Sequence, residues 1–145
     1  MLDNFQNDLA RGHKAEKIVL DVFSQLTDKY KFDWVGNNRE YYYKGDIIAT
    51  DKESGKQIFI EVKNDSRIAD TGNVLCEEEV LYFDNGLKKK GNMYCSGDIF
   101  AVVSEKEQKI YVMDYKVLRN KYRNGKYKEI QHPQQITYCY LCSIE

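Results

Sequence analysis

Between Gly45 and Lys63 the chain reads GDIIATDKESGKQIFIEVK. Two apolar, partly β-branched runs, Asp46 to Thr50 and Gln57 to Val62, flank a polar Asp-Lys-Glu-Ser-Gly, which predicts a hairpin. With the turn centred near Glu53, antiparallel pairing sets Asp46 opposite Ile60 or Glu61. Side chains alternate across a strand, so Ile58, Ile60 and Val62 take one face and Phe59, Glu61 and Lys63 the other. Two carboxylates and a lysine then converge at one end of the hairpin. That cluster suits phosphodiester hydrolysis. Carboxylates are hard oxygen ligands for Mg²⁺, which retains waters and takes a substrate phosphate as a further ligand. The ion polarises a phosphoryl oxygen and acidifies a bound water, and Lys63 could orient that water or offset charge at the phosphate. The plainer alternative is a solvated hairpin whose Glu61 and Lys63 form surface cross-strand pairs, each worth ~0.2–1 kcal/mol.

An aspartate followed on the next strand by Glu-x-Lys, here Gly45-Asp46 and Glu61-Val62-Lys63, resembles the signature of the PD-(D/E)xK nuclease superfamily, the restriction-endonuclease-like fold. Gly45 stands where proline is frequent. The resemblance implies metal ligation by Asp46, Glu61 and the carbonyl of Val62, with Lys63 catalytic and Mg²⁺ or Mn²⁺ as cofactor. Many members, Holliday-junction resolvases among them, carry a glutamate on the first helix that points at the metal. Arg11-Gly12-x-x-x-Glu16 is similar to that element, so Glu16 joins the set. Ser66-Arg67, then Thr71-Gly72-Asn73 and an acidic strand, resembles small phage-type members, which implies that one acid or the basic residue of such a loop touches substrate; Arg67 is carried as a candidate phosphate contact.

The elements that must position these residues follow from periodicity. Residues 3–29 predict a helix with the stripe Phe5, Leu9, Gly12, Glu16, Val19, Phe23, Leu26, opened by an Asp3–Gln6 capping box after Leu2. Gly12 implies close packing or a kink there. Glu16, charged on an apolar face, either stays solvated at the stripe's edge, pairs with a basic neighbour, or faces the site. Lys31 to Val35 reads as a strand and Gly36 to Asn38 as a turn, with Glu40 to Tyr43 leading into the hairpin. One helix followed by three strands matches the αβββ opening of the superfamily core.

Further along, residues 64–73 read as a loop and Val74 to Phe83 as a strand, with Glu77, Glu78 and Glu79 expected at a solvated edge. Lys88, Lys89 and Lys90 read as a soluble loop or a DNA-backbone contact. Asp98 precedes an apolar strand as Asp46 does, but lacks a Glu-x-Lys partner, so Asp46 is preferred as the metal acid. Strands are predicted over Asp98–Val103 and Lys109–Met113, a short helix over 115–122, and a closing strand over Ile136–Leu141, placed at a sheet edge. Residues 116–128 hold six basic side chains and no acid, with Tyr122 and Tyr127 interleaved. Lys121, Arg123 and Lys126 are thus candidate phosphate contacts, against the alternative of a basic surface whose tyrosines fill the core.

The chain has 145 residues, with Lys+Arg 22 against Asp+Glu 23, which predicts one domain, residues 1–145, with no global field demanding a nucleic-acid partner. There is no long apolar run and no signal-like N-terminus, so the expected location is cytoplasmic, away from membranes. Among Cys76, Cys95, Cys139 and Cys142 only the last two have CxxC spacing, and reduced thiols are expected rather than a zinc site. The combined reading is an α/β chain: a restriction-endonuclease-like mixed sheet with an N-terminal helix on it, acting as a Mg²⁺-dependent DNA endonuclease of phage or mobile-element type. RNA stays open as substrate, and a homodimer is expected because cutting two strands usually takes two sites. The competing class is a non-catalytic nucleic-acid-binding or protein-interaction domain on the same fold.

Overall fold

A computed structural model describes residues 2–143, with side chains from residue 9 onward. The Asp3–Gln6 capping box, Leu2 and Phe5 lie outside those described side chains. In chain order the elements are α1 (Leu2–Leu26), β1 (Tyr30–Trp34), β2 (Ile47–Asp51), β3 (Gln57–Asn64), α2 (Ile68–Thr71), β4 (Asn73–Tyr82) and β5 (Lys88–Lys90). There follow β6 (Ile99–Ser104), β7 (Lys109–Asp114), α3 (Tyr115–Lys121), β8 (Lys126–His132) and β9 (Gln135–Ser143). The chain forms two compact units, Met1–Ser66 with Ser96–Tyr115, and Arg67–Cys95 with Lys116–Glu145. Among the described residues no helix is long and apolar enough to cross a membrane.

The first unit carries a five-stranded mixed sheet in the order β1-β2-β3-β6-β7. Only β3 and β6 run parallel; the other neighbours are antiparallel. The predicted hairpin is present, with Ile47 opposite Ile60 and the Asp46 amide donating to the Ile60 carbonyl at 2.8 Å. Its turn is tied by the Asp51 carboxylate, which accepts from the amides of Glu53 (2.9 Å) and Ser54 (3.2 Å). α1 lies on one face, where Ala15 and Val19 meet Ile47, Ala49, Ile60, Ala101 and Val103 in a buried cluster, with Ile58 and Val62 packed against it. Alternation then turns Phe59, Glu61 and Lys63 to the opposite face, as expected.

Two details of α1 differ from expectation. Leu9 and Leu26, assigned to the buried stripe, are exposed. A 25-residue helix is ~38 Å long and the eight-residue β3 only ~26 Å, so the helix overruns the sheet it covers. At Gly12 an added Cβ would meet nothing within 4 Å. No close packing requires that glycine.

The second unit is a four-stranded antiparallel sheet, β5-β4-β9-β8. β9 therefore lies inside the sheet and not at its edge. The lysine triplet is the edge strand β5, and the loop before β4 contains the one-turn α2. Part of the basic segment is strand β8, beyond the short helix predicted there. The three acids on β4 are half-buried, not solvated, because β4 is an interior strand with a register shift between Glu77 and Glu79. Glu78 accepts from Arg123 Nε at 3.0 Å and from the Tyr122 hydroxyl at 3.1 Å, and Glu79 pairs with Lys88 Nζ at 3.4 Å. All four cysteines are buried free thiols. Cys139 donates to the Lys128 carbonyl and Cys142 to that of Tyr122. Three residues apart on a strand, they face opposite sides of the sheet and cannot share a metal.

Candidate active site

The first unit brings Glu16, Asp46 and Glu61 together. Asp46 stands one residue before β2, and the register continued by one step sets it opposite Glu61. Its carboxylate does not stand off the sheet as an ordinary strand side chain would. Oδ2 accepts from the Val62 amide at 2.9 Å and so takes the place of a ladder carbonyl where β2 has ended. A strand N–H lies close to the plane of its sheet, so this bond holds the Asp46 carboxylate near that plane. Glu16 reaches it from α1, and Glu61 from the neighbouring strand; the Asp46 carboxyl hydrogen-bonds with both. Because the N–H and C=O of a strand residue point the same way, the Val62 carbonyl faces the same side of β3 as its bond to Asp46.

The glycine before Asp46 is required. Gly45 has φ +156°, and a Cβ there would lie 2.7 Å from the Ile60 carbonyl oxygen. Its amide donates to the Tyr41 carbonyl at 3.1 Å. Proline, held near φ −65° and without an N–H, could not take this place.

Burial sets the protonation of the acids. Glu16 is 5% exposed, on the side of α1 next to Ala15 and Val19. Loss of solvent raises its pKa most, followed by the charge of Asp46 and the hydrogen bond to it, and the carboxyl is pushed up to about 8. A hydrogen bond from Trp34 works the other way. Asp46 is also raised, by burial first, against the pull of the Val62 amide, its two carboxyl partners and the charge of His13. At neutral pH Glu16 accordingly keeps a proton and donates it to Asp46. The alternative of a solvated Glu16 at the stripe's edge does not hold.

Three further residues surround Glu16. Trp34, the one tryptophan in the chain, ends β1 beside Glu16, and His13 packs edge-on against its indole at 5.5 Å between ring centroids. Gly36 leaves room for the pair: a Cβ there would overlap Glu16 Oε1 and come within 2.6 Å of Trp34 Nε1. His13, one helical turn before Glu16, could have been suspected from its spacing. Asp98 has a structural task. Its carboxylate accepts from the Phe59 amide at 2.8 Å, and its own amide donates to the Phe59 carbonyl at 2.8 Å.

The donor chemistry suits a hard divalent cation, since Asp46, Glu16 and Glu61 offer only oxygen and a buried acid pair holds a proton that a cation could replace. Among the described residues, however, no group of three or more His, Cys, Asp or Glu side chains is already spread around one point as a metal cage. Asp46 is the hub that touches each of the other two acids. The fit is to an ion that keeps several waters, with two carboxylates supplying the protein's share. Lys63 is half-buried on β3, on the face of Glu61. Arg67, Lys121, Arg123 and Lys126 all belong to the second unit and are exposed. Arg67 is the N-cap residue before α2, while Arg123 is engaged by Glu78.

No protein-family model and no curated protein matches the chain. Among solved structures it is similar to a bacterial homing endonuclease, I-Ssp6803I, at 15% identity and a TM-score of 0.54, covering 88% of this chain and 75% of that one. It is also similar to a nuclease from a fusselovirus, at 13% identity and a TM-score of 0.50, covering 94% of this chain and 84% of that one. The likeness is one of fold: a mixed α/β arrangement with an N-terminal helix packed on a mixed sheet.

Proposed function

We propose that the chain is a metal-dependent endonuclease that hydrolyses phosphodiester bonds in DNA and belongs to a phage or mobile element. The observation that carries this reading is the meeting of Glu16, Asp46 and Glu61 at the open end of the β2–β3 hairpin, with Lys63 on the same strand face as Glu61. The nuclease-like fold supports it. Mg²⁺ or Mn²⁺, when bound, would supply Lewis-acid polarisation of the phosphate and a more acidic water. Asp46 and Glu61 would hold the ion with the Val62 carbonyl, and Glu16 would release its proton to make room. The Val62 amide keeps Asp46 oriented throughout. Lys63 would stabilise negative charge as it develops at the reacting phosphate, an effect felt in turnover more than in affinity.

A second reading, a nucleic-acid-binding domain that has the fold without the activity, is favoured by one observation: Asp46 touches Glu16 and Glu61, but among the described residues the three acids are not arranged around a point. The test is paired. Cleavage of linear, single-stranded and four-way-junction DNA, and of RNA, is measured with Mg²⁺ or Mn²⁺, and binding of the same substrates in Ca²⁺. Lys63→Ala is expected to lower cleavage by ~10²–10³ with binding largely kept. Asp46→Asn and Glu61→Gln should lose metal affinity together with cleavage. Cleavage that survives all three substitutions would place the activity elsewhere, and binding without cleavage by the wild type would favour the second reading.

A further inference from the structure

Just upstream of Asp46 the chain reads Asn38-Arg-Glu-Tyr-Tyr-Tyr-Lys-Gly45. The Asn38 side chain caps the 3₁₀ turn Arg39–Tyr41 by accepting from the Glu40 amide at 3.0 Å. The Lys44 and Gly45 amides both donate to the Tyr41 carbonyl, at 2.9 and 3.1 Å. The Tyr43 carbonyl accepts from Ser96 twice, from its amide at 2.6 Å and its hydroxyl at 3.1 Å. The loop is fixed at both ends, so the directions of its side chains are set by the backbone.

Within it the three tyrosines do different things. Tyr41 is half-buried and stacks on Phe59, with ring centroids 6.2 Å apart and an interplanar angle of 30°. Lys44 Nζ lies 5.4 Å from the centroid of the same Phe59 ring. Phe59 shares its sheet face with Glu61 and Lys63, so the loop is anchored to the face that carries the ExK residues. Tyr42 and Tyr43 instead point outward, 54% and 51% exposed, with their rings edge to face at 4.8 Å and 89°. In an edge-to-face pair the edge of one ring meets one face of the other, and about half of each side chain stays exposed; Arg39 and Lys44 flank the pair in sequence.

We propose that Tyr42 and Tyr43 are a stacking platform for unpaired nucleobases beside the scissile phosphate, which makes DNA with a single-stranded or locally opened segment the preferred substrate. This deepens the nuclease reading and rests on it. Every base offers a π-face, so stacking selects for bases freed from the duplex and not for sequence, while Arg39 and Lys44 meet the phosphates on either side. A continuous duplex keeps its bases stacked on each other and gives the tyrosines nothing to bind.

The test uses the full chain in Ca²⁺, with fluorescence anisotropy on a continuous duplex and on the same duplex carrying a short single-stranded gap that contains 2-aminopurine. The wild type should bind the gapped DNA more tightly and change the 2-aminopurine emission. Tyr42→Ala/Tyr43→Ala should weaken binding to gapped DNA by about tenfold or more and abolish the emission change. Its affinity for continuous duplex should shift by less than about twofold. Tyr42→Leu/Tyr43→Leu, which keeps apolar bulk, should resemble the alanine pair, and circular dichroism checks that both variants are folded. Equal binding by wild type and variants, or an equal loss on both DNAs, overturns the platform. If cleavage by the wild type persists in that case, the nuclease reading stands without it. A wild type that binds no DNA of either kind overturns both.

Discussion

Glu16 carries most of the chemistry that an isolated motif would miss. Buried beside Asp46, it keeps its proton up to about pH 8, against an ordinary 4.5. Between those values the folded state binds a proton that the unfolded chain has released, so stability must fall as pH rises. The contribution is fully present below about 4.5 and is lost as pH climbs through about 8. Thermal melts of the metal-free protein from about pH 5 to about pH 9 should show this decline, and Glu16→Gln, neutral at every pH, should flatten it. An equally steep decline in Glu16→Gln would mean that another group is responsible. A divalent cation should oppose the decline, raising the melting temperature most at the alkaline end. Gly36 tests the same pair from the other side. Gly36→Ala puts a methyl group onto Glu16 Oε1 and Trp34 Nε1, so the emission of the single tryptophan should shift even if the fold survives. An unaltered spectrum would show that the indole and carboxyl do not depend on that space.

At the scale of elements, two glycines that look alike in sequence have opposite consequences. Gly12 sits in the interior of α1 with open space around its missing Cβ. Gly12→Ala should therefore stabilise the protein by ~0.5–1 kcal/mol, measurable by urea denaturation. Gly45 is pinned at φ +156° against the Ile60 carbonyl. Gly45→Ala should destabilise by more than ~1 kcal/mol and displace Asp46, lowering metal affinity with it. If both variants melt like the wild type, backbone conformation does not distinguish the two positions. The same contrast explains what the sequence revealed. The hairpin was legible because β2 and β3 are apolar on the α1 face and broken by turn residues, and Glu16 was legible because a charge interrupted an apolar stripe. The second unit was not. β8, Lys-Tyr-Lys-Glu-Ile-Gln-His, is an edge strand exposed at nearly every position, so no alternation marks it. β9 then looked like an edge, because its outer neighbour went unseen. Trp34 and Gly36 meet Glu16 only in three dimensions and leave no spacing pattern to read, whereas His13 lies one helical turn before Glu16 on α1.

At the scale of the molecule, a formal net charge of −1 means that no overall field draws DNA in, and any attraction must come from local clusters. The acid-free run from Lys116 to Lys128 is such a cluster in sequence, but its members are not equivalent in the fold. Arg123 is held by Glu78 through both Nε and Nη2, and lies over the Tyr122 ring at 5.3 Å. To meet a phosphate it would have to leave a carboxylate partner, so its main task is to tie the turn after α3 to β4. Lys121, at the end of α3, and Lys126, at the start of β8, are exposed. The three should separate experimentally. Lys121→Ala/Lys126→Ala should leave the melting temperature close to wild type while flattening the dependence of log affinity for duplex DNA on log salt, by up to ~0.9 per lost contact. Arg123→Ala should do the reverse, lowering the melting temperature with little change in slope. A slope unaltered by the lysine pair would remove this segment from the DNA-binding surface, and a slope lowered by Arg123→Ala alone would mean that the Glu78 pair opens when DNA binds.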